Sequence, residues 1–308
     1  MPVKFNKTIL LSLLLLINYD PGFGAQVESE TEPARYIDMG EGRNIYLKCQ
    51  GKGSPTVILE SGYHNNSDVW TFSLNDKQPI FPEIASFTRV CVYDRPGTIG
   101  WTVNALGRSD NIQMPRKVED LVEDLHMVLQ KAQLKEPYIL VGHSLGGLLV
   151  RLYASKYPKE VVGLVLVDSY PEGLRSLVGS TWPDYLKILN SPMPGIKDPD
   201  HFEQIDFNEA TTAMEKSAQS APLKTLLLTV LSRGLPVEVP VVPNPNLNSE
   251  AFEEAWQKGQ SQLVLLAPHA KQVIATKSQH YIQYYEPGLI IQAIQEMVSE
   301  VRKNKPND

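Results

Sequence analysis

The sequence predicts an α/β fold in which a mostly parallel central sheet is flanked by helices. Short apolar segments rich in β-forming residues alternate with amphipathic segments, a pattern typical of α/β domains. One segment, Val161–Val167, is so uniformly apolar that both of its faces must be covered, as in a parallel sheet. The length of 308 residues is ample for one large domain of this kind.

The predicted elements follow one another in a regular order until residue 171. The predicted strands are Arg35–Met39, Asn44–Cys49, Thr56–Glu60, Arg89–Tyr93, Tyr138–Val141, Val161–Val167, Leu223–Leu231 and Gln272–Thr276. The main predicted helices are Ile80–Phe87, Val118–Gln133, Ser144–Tyr157, Ser249–Gln262 and Glu286–Lys303. Residues 172–222 are polar and contain no clean strand, so we interpret them as a small cap inserted into a domain that spans 25–308.

Residues 1–24 have the features of a cleavable secretory signal peptide. Lys4 and Lys7 precede an apolar run from Ile9 to Ile17, and Gly22 and Gly24 offer small residues at the two cleavage positions. The run is shorter than the roughly 20 residues that a membrane-spanning helix needs. We therefore expect a secreted or periplasmic protein with no stable membrane anchor; an uncleaved N-terminal anchor is the alternative.

The charge of the chain is negative. The full sequence carries −6, and removal of residues 1–24 would take away two lysines and one aspartate, leaving −7. This balance argues against nucleic acid or an anionic membrane as a partner. No group of side chains has the spacing of metal ligands, so the sequence predicts neither a metal nor an organic cofactor.

The motif that carries most information is Gly142-His143-Ser144-Leu145-Gly146, which lies between a predicted strand and a predicted helix. A strand that turns into a helix within a few residues has a strained backbone, and the two glycines remove side chains that would collide there. The Ser144 hydroxyl would then stand beside a helix N-terminus, which favours negative charge. Ser144 is therefore the candidate nucleophile; a plain glycine-rich turn is the alternative.

Four other predicted strands also end at polar or turn residues, namely Ser61–Tyr63, Asp94, Asp168 and His280. In such sheets, ligands bind beyond the carboxyl ends of the strands. A serine hydroxyl needs a base, and a histidine, with an ordinary pKa of about 6.5, can take its proton at neutral pH. We expect His280 to be that base, His143 to point away from the site, and His64 to fill the loop around it.

In order and spacing, these motifs resemble the α/β-hydrolase family. The resemblance covers essentially all of the chain after residue 24 and rests on Glu60–Tyr63, Tyr93–Gly97, Gly142–Gly146, Leu164–Ser169 and Ser278–Tyr281. Family members carry nucleophile, acid and histidine in that order. The resemblance implies a triad of Ser144, Asp168 and His280. It also implies an oxyanion hole made by the backbone N–H groups of Tyr63 and Leu145.

The acid is the least constrained member of this triad. Many family members place it after the strand that follows the cap, where Glu238 is the best carboxylate. Others place it at the end of the strand before the cap, where Asp168 stands. No aspartate occurs between Asp206 and Asp308, so we assign Asp168 and keep Glu238 as the alternative.

The two cysteines, Cys49 and Cys91, each lie in a predicted strand. An even count in an exported chain permits a disulfide, and two buried free thiols are the alternative. The sheet of the resembled family places these two strands side by side, which implies a Cys49–Cys91 bridge.

The resemblance and the site residues together imply a serine hydrolase that cleaves small-molecule carboxylic esters through an acyl-enzyme. One alternative is a peptidase of the prolyl-iminopeptidase type, which shares fold and triad but needs an acidic site in the cap for the substrate's amino group. The carboxylates that could form it are Glu172, Asp184, Asp198, Asp200 and Glu203. The other alternative is a catalytically silent binding protein of the same fold, which the reactivity of Ser144 would exclude.

Overall fold

The computed structural model describes residues 32–73, 77–100, 106–171, 173–190, 198, 200–218, 221–237 and 248–304. The predicted signal peptide, Glu172, and the alternative acid Glu238 lie outside these described residues. Within them, no helix combines the length and the apolar character that crossing a membrane requires.

An eight-stranded sheet forms the centre of the fold. Its strands are β1 (Arg35–Gly40), β2 (Arg43–Gln50), β3 (Thr56–Glu60), β4 (Val90–Tyr93), β5 (Tyr138–His143), β6 (Val161–Val167), β7 (Leu227–Arg233) and β8 (Lys271–Ala275). Their order across the sheet is β1-β2-β4-β3-β5-β6-β7-β8. Strand β2 is antiparallel to both neighbours and every other pair is parallel, which confirms the predicted fold class.

Helices cover both faces of the sheet. They are α1 (Asp68–Thr71), α2 (Ile80–Ala85), α3 (Val118–Lys131), α4 (Leu145–Lys156), α5 (Leu174–Val178), α6 (Trp182–Leu189), α7 (Phe207–Ala218), α8 (Ser249–Leu263), α9 (Ile282–Tyr285) and α10 (Pro287–Lys303). One apolar layer packs against α3, α4, α7 and α8, and the other against α2 and α10. In β5, Leu140 faces the first layer and Ile139 the second, which explains why residues 138–141 of this strand are all apolar or aromatic.

The start of the seventh strand differs from the prediction. Strand β7 runs over Leu227–Arg233 rather than Leu223–Leu231. The first predicted residues instead form a 3₁₀ turn, Ala221–Thr225, in which the Leu223 side chain is buried in the core. An apolar run does not by itself distinguish a buried turn from a buried strand. The two added residues carry β7 to Arg233, at the carboxyl edge of the sheet.

Two further features bear on the sequence predictions. Cys49 of β2 lies directly opposite Cys91 of β4 in the antiparallel register, and a disulfide joins them with the Cα atoms 4.1 Å apart. Between β6 and β7, in the segment predicted to form a cap, the described residues form the helices α5, α6 and α7.

Candidate active site

Ser144 occupies a sharp turn between β5 and α4. Its backbone angles are φ 53° and ψ −120°, and a positive φ is uncommon for a residue other than glycine. A Cβ at Gly142 would lie 2.4 Å from the Gly146 carbonyl oxygen, and one at Gly146 would lie 2.6 Å from the Glu60 carbonyl oxygen. Larger residues at these two positions would collide with backbone, as the motif predicts.

The turn at Ser144 is joined to the end of β6 by backbone hydrogen bonds. The Ser144 N–H donates to the Val167 carbonyl at 3.1 Å, and the Tyr170 N–H donates to the Ser144 carbonyl at 2.9 Å. Asp168 lies between these two anchor points. The relative position of the candidate nucleophile and the candidate acid is therefore fixed by main-chain contacts rather than by a flexible loop.

The Asp168 side chain is fully buried and surrounded by donors. Its Oδ2 lies 2.6 Å from His280 Nδ1 and accepts from Arg233 Nη1 at 2.6 Å, while its Oδ1 accepts from Trp256 Nε1 at 3.0 Å. Burial alone would raise the pKa of Asp168, but the hydrogen bond and charge of His280 and the charge of Arg233 outweigh it and lower the pKa to about 2. Asp168 is therefore an anion at neutral pH.

His280 lies beyond β8 and presents its ring to the cavity that Ser144 also lines. Because a carboxylate only accepts, Nδ1 carries the proton shared with Asp168, and Nε2 remains to act on the serine. Among the residues that the structure describes, no hydrogen bond joins the Ser144 and His280 side chains. Such contacts commonly tighten only when substrate is bound.

His143 corrects one prediction, because its ring faces the site instead of pointing away. Its Nε2 donates to the His280 carbonyl at 3.0 Å, and the two rings are 4.6 Å apart. Room for the ring exists because residue 62 is glycine: a Cβ there would lie 2.8 Å from His143 Nδ1. Burial, together with the nearby His280, lowers the pKa of His143 to about 3, so this ring is a neutral support for His280.

The loop after β3 carries Tyr63, whose backbone N–H is predicted for the oxyanion hole. Arg95 Nη1 donates to the Ser61 carbonyl at 2.9 Å, and Nη2 donates to the Gly62 carbonyl at 2.8 Å. Because the C=O and N–H of a trans peptide point in opposite directions, the Tyr63 N–H points away from Arg95. A Cβ on Gly62 would lie 3.2 Å from the Ser144 Cβ, so this peptide lies beside the serine.

The second predicted oxyanion donor is Leu145, the first residue of α4. The N–H groups of a first helical turn have no carbonyl partner within the helix and carry the positive end of its dipole. The N–H groups of Leu145 and Tyr63 therefore flank the serine from the helix and from the β3 loop.

Arg95 belongs to a buried ion cluster that holds this loop. Its guanidinium pairs with Glu60 at the end of β3, and its Nε donates to Glu203 Oε1 at 2.6 Å. Glu203 Oε2 also accepts the backbone N–H of His64 at 2.5 Å. Glu203 comes from the segment between α6 and α7, so this segment is tied directly to the candidate oxyanion loop.

The cavity above Ser144 has a volume of about 280 Å³ and an apolar, aromatic wall. The wall residues outside the polar site are Tyr170, Tyr185, Ile188, Leu189, Phe207, Val237, Phe252 and Trp256. Several of them come from α6, α7 and α8. This lining suits an apolar group of small to moderate size.

The carboxylates proposed for a peptidase do not line this cavity in the part of the chain that the structure describes. Asp184 pairs with Lys187, Asp198 pairs with His201, and Glu203 pairs with Arg95. His64 also does not line the cavity. Its ring packs on the ring of Tyr63, with the two centroids 3.6 Å apart.

The site contains three residues that the sequence did not single out. Arg233 and Trp256 contact Asp168 directly, and Glu253 pairs with Arg233 at 2.7 Å. Glu253 and Trp256 lie on α8, which therefore crosses behind the candidate acid. The one available signal was the position of Arg233 at the end of an apolar strand, on the edge where the other site residues collect.

Comparison with known proteins identifies the family. The α/β-hydrolase fold family matches residues 55–299, and the chain therefore belongs to that family. It is 25% identical over 245 residues to YqjL, an uncharacterized protein of Bacillus subtilis, which covers 80% of this chain and 84% of YqjL. Four other curated relatives are longer, and the chain spans only 18% to 26% of their length.

Solved structures show the same fold at low sequence identity. Alpha/beta hydrolase domain-containing protein 10 from mouse has a TM-score of 0.60 and 18% identity, over 88% of this chain and 100% of that one. A thermophilic esterase from Thermogutta terrifontis has a TM-score of 0.55 and 17% identity, over 88% of this chain and 99% of that one.

Proposed function

We propose that the protein is a serine hydrolase that cleaves carboxylic esters through an acyl-enzyme on Ser144. One observation carries the proposal. A buried aspartate holds His280 Nδ1 at 2.6 Å, and the ring lines one cavity with a serine at φ 53°. A buried carboxylate that fixes a histidine which lines the same cavity as a serine is the arrangement that nucleophilic acyl transfer needs.

The proposed reaction proceeds in two stages. In the first, His280 Nε2 takes the Ser144 proton as the oxygen attacks the ester carbonyl, and the same proton then passes to the leaving alcohol. In the second, His280 takes a proton from water as its oxygen attacks the acyl carbon, and the same proton then passes to the Ser144 oxygen as the acyl–serine bond breaks and the acid leaves. Asp168 stays ionised throughout and stabilises the imidazolium that forms in each stage.

The N–H groups of Tyr63 and Leu145 would bind the oxyanion of each tetrahedral intermediate. Arg95 supports this role, since it orients the Gly62–Tyr63 peptide in the absence of substrate. Donors that are oriented beforehand stabilise developing charge without having to reorganise during the reaction.

The substrate that fits is a neutral ester whose group at the cavity is apolar. The aromatic wall supports this choice, and in the described part of the cavity no carboxylate stands ready for an amino group. The peptidase alternative therefore lacks the site that it requires among the described residues. A similar thermophilic esterase has the same fold, which agrees with the proposed class of reaction.

A direct test compares esters with amides. Purified protein is assayed with p-nitrophenyl esters of increasing acyl length and with a prolyl arylamide, alongside Ser144→Ala as the matched control. We expect hydrolysis of the shorter esters, little or no amide cleavage, and loss of turnover in the variant. Amide cleavage that exceeds ester cleavage would favour the peptidase. Ester turnover that persists in Ser144→Ala would remove the serine from the mechanism.

We also propose that residues 1–24 direct the chain to an oxidising compartment. The Cys49–Cys91 disulfide supports this, because such bridges persist mainly in secreted and periplasmic proteins.

A further inference from the structure

Arg233 is a buried cation placed directly on the candidate acid. The residue is 2% exposed and ends β7, next to the strand that leads to Asp168. Its Nη1 donates to Asp168 Oδ2 at 2.6 Å and its Nη2 donates to Glu253 Oε2 at 2.7 Å. Its guanidinium also lies over the Trp256 ring, 4.7 Å from the centroid. Burying such an ion is costly, and acyl transfer by a triad does not require it.

The arginine and the histidine share one oxygen atom. Asp168 Oδ2 receives both Arg233 Nη1 and His280 Nδ1, each at 2.6 Å. When His280 takes up a proton, two positive groups face each other across this single oxygen of a fully buried carboxylate. Their repulsion disfavours the protonated ring, in opposition to the attraction that Asp168 exerts.

The other groups around His280 do not offset this repulsion. His143, at the end of β5, is neutral because burial lowers its pKa to about 3. Burial also raises the pKa of Tyr281, so that phenol is neutral as well, and the Trp256 ring carries no charge. Among the described residues, the charges that remain beside His280 are those of Asp168 and Arg233, with Glu253 behind the arginine and 21% exposed.

We propose that Arg233 is a positioning residue of the triad: it fixes the Asp168 carboxylate and keeps His280 unprotonated at lower pH than Asp168 alone would allow. Its backbone N–H also donates to Asp168 Oδ1 at 3.3 Å, so one residue holds both carboxylate oxygens. Glu253 moderates the effect by pairing with the other end of the guanidinium. The inference rests on the proposed function, in which His280 acts only when unprotonated.

The test measures two quantities in the full-length protein. NMR titration of the His280 ring gives its protonation midpoint without any substrate, and the pH dependence of kcat/KM for a p-nitrophenyl ester gives the acid limb. For Arg233→Met, we expect both to move up by roughly one pH unit or more, because the repelling charge is gone. For Glu253→Gln, we expect a downward shift of a few tenths of a pH unit, because the arginine is then uncompensated.

Two further variants serve as controls. Arg233→Lys keeps the charge, and we expect its midpoint to stay near that of the wild type even if kcat falls. Lys271→Met removes a charge from an exposed ion pair with Glu296, and we expect no shift. If Arg233→Met fails to fold, Glu253→Gln leaves the arginine in place and still shows whether the His280 midpoint moves down as predicted.

Several outcomes separate this inference from the proposed function. Lower kcat in the Arg233 variants with an unmoved midpoint and acid limb would overturn the inference and leave Arg233 with a packing role. An unmoved midpoint in Glu253→Gln would overturn it as well. If no ester is turned over but the His280 midpoint shifts as expected, the proposed function fails while the electrostatic role of Arg233 stands.

Discussion

Two buried arginines, Arg95 and Arg233, flank the candidate site, and each bridges two carboxylates. Arg95 pairs with Glu60 and Glu203 on the oxyanion side, and Arg233 pairs with Asp168 and Glu253 on the acid side. Both arginines are 2% exposed. The contacts are chemically alike, but one cluster holds the backbone of a loop and the other holds a histidine side chain.

The Arg95 cluster holds backbone. Its guanidinium binds the carbonyls of Ser61 and Gly62, and Glu203 binds the His64 N–H. Burial would lower the pKa of Arg95, but the charges of Glu203 and Glu60 outweigh it and raise the pKa above its usual value. The charges of this cluster compensate one another, and the cluster fixes the conformation of the loop after β3.

The Arg233 cluster holds the side chain of His280, the candidate base. One of its carboxylates, Asp168, is shared with His280, and the other, Glu253, is partly exposed. A change of charge here therefore reaches the histidine, whereas a change at Arg95 alters loop geometry. The comparison indicates that the effect of a buried ion pair depends on the second group that its carboxylate binds.

The largest effect expected within either cluster comes from Asp168→Asn. A neutral amide cannot stabilise the imidazolium as a carboxylate does, and its NH2 group favours the wrong tautomer of His280, so kcat/KM should fall by about ten-thousand-fold. The measurement is ester turnover beside Glu238→Gln, which we expect to retain most activity. A greater loss of activity in Glu238→Gln than in Asp168→Asn would instead identify Glu238 as the acid.

Disrupting the Arg95 cluster should mainly lower the stability of the fold. We expect Glu203→Gln to lower the free energy of unfolding by about 3–5 kcal/mol, because it leaves a buried cation poorly compensated. We expect kcat/KM to fall about tenfold or more through misplacement of the Tyr63 N–H. The acid limb of the pH profile should stay where it is in the wild type.

The matched control for that variant is Glu215→Gln on α7. Glu215 pairs with Arg175 at 2.5 Å, but both side chains are about a third exposed, so we expect a loss of at most about 1 kcal/mol. Denaturant unfolding and the pH profile provide both measurements. A shifted acid limb in Glu203→Gln would erase the distinction between the two clusters.

A smaller loss of stability, with no effect on either cluster, is expected from Cys49→Ala/Cys91→Ala. The disulfide closes a separation of 42 residues between β2 and β4, and its removal should cost about 2–4 kcal/mol. We expect kcat/KM at 25 °C to be unchanged. Titration of the unfolded, unreduced wild type should find no free thiol, and two free thiols would show that the bridge is absent.

Much of the fold could be predicted from the sequence because the patterns that indicate strands and turns are local. Alternating apolar segments placed the eight strands, and the glycines around Ser144 marked a turn that larger residues would block. The same edge-of-sheet argument collected Asp168 and His280, which the structure brings to 2.6 Å. Their catalytic roles remain predictions.

The remaining features depend on contacts that no local pattern encodes. Arg233 and Trp256 reach Asp168 across 65 and 88 residues of sequence. A search for an acid at the end of β7 passes over Arg233, because its charge has the opposite sign. His143 turned toward the site because Gly62, on another strand end, leaves space for its ring.

The central claim is that Ser144 is a nucleophile activated by an assembled site. The most direct measurement is the intact mass of the folded protein after treatment with a fluorophosphonate, followed by peptide mapping. We predict one adduct per chain, located on Ser144 and absent from Ser144→Ala. A folded protein that gains no adduct, or gains it elsewhere, would contradict the claim and favour a catalytically silent binding protein.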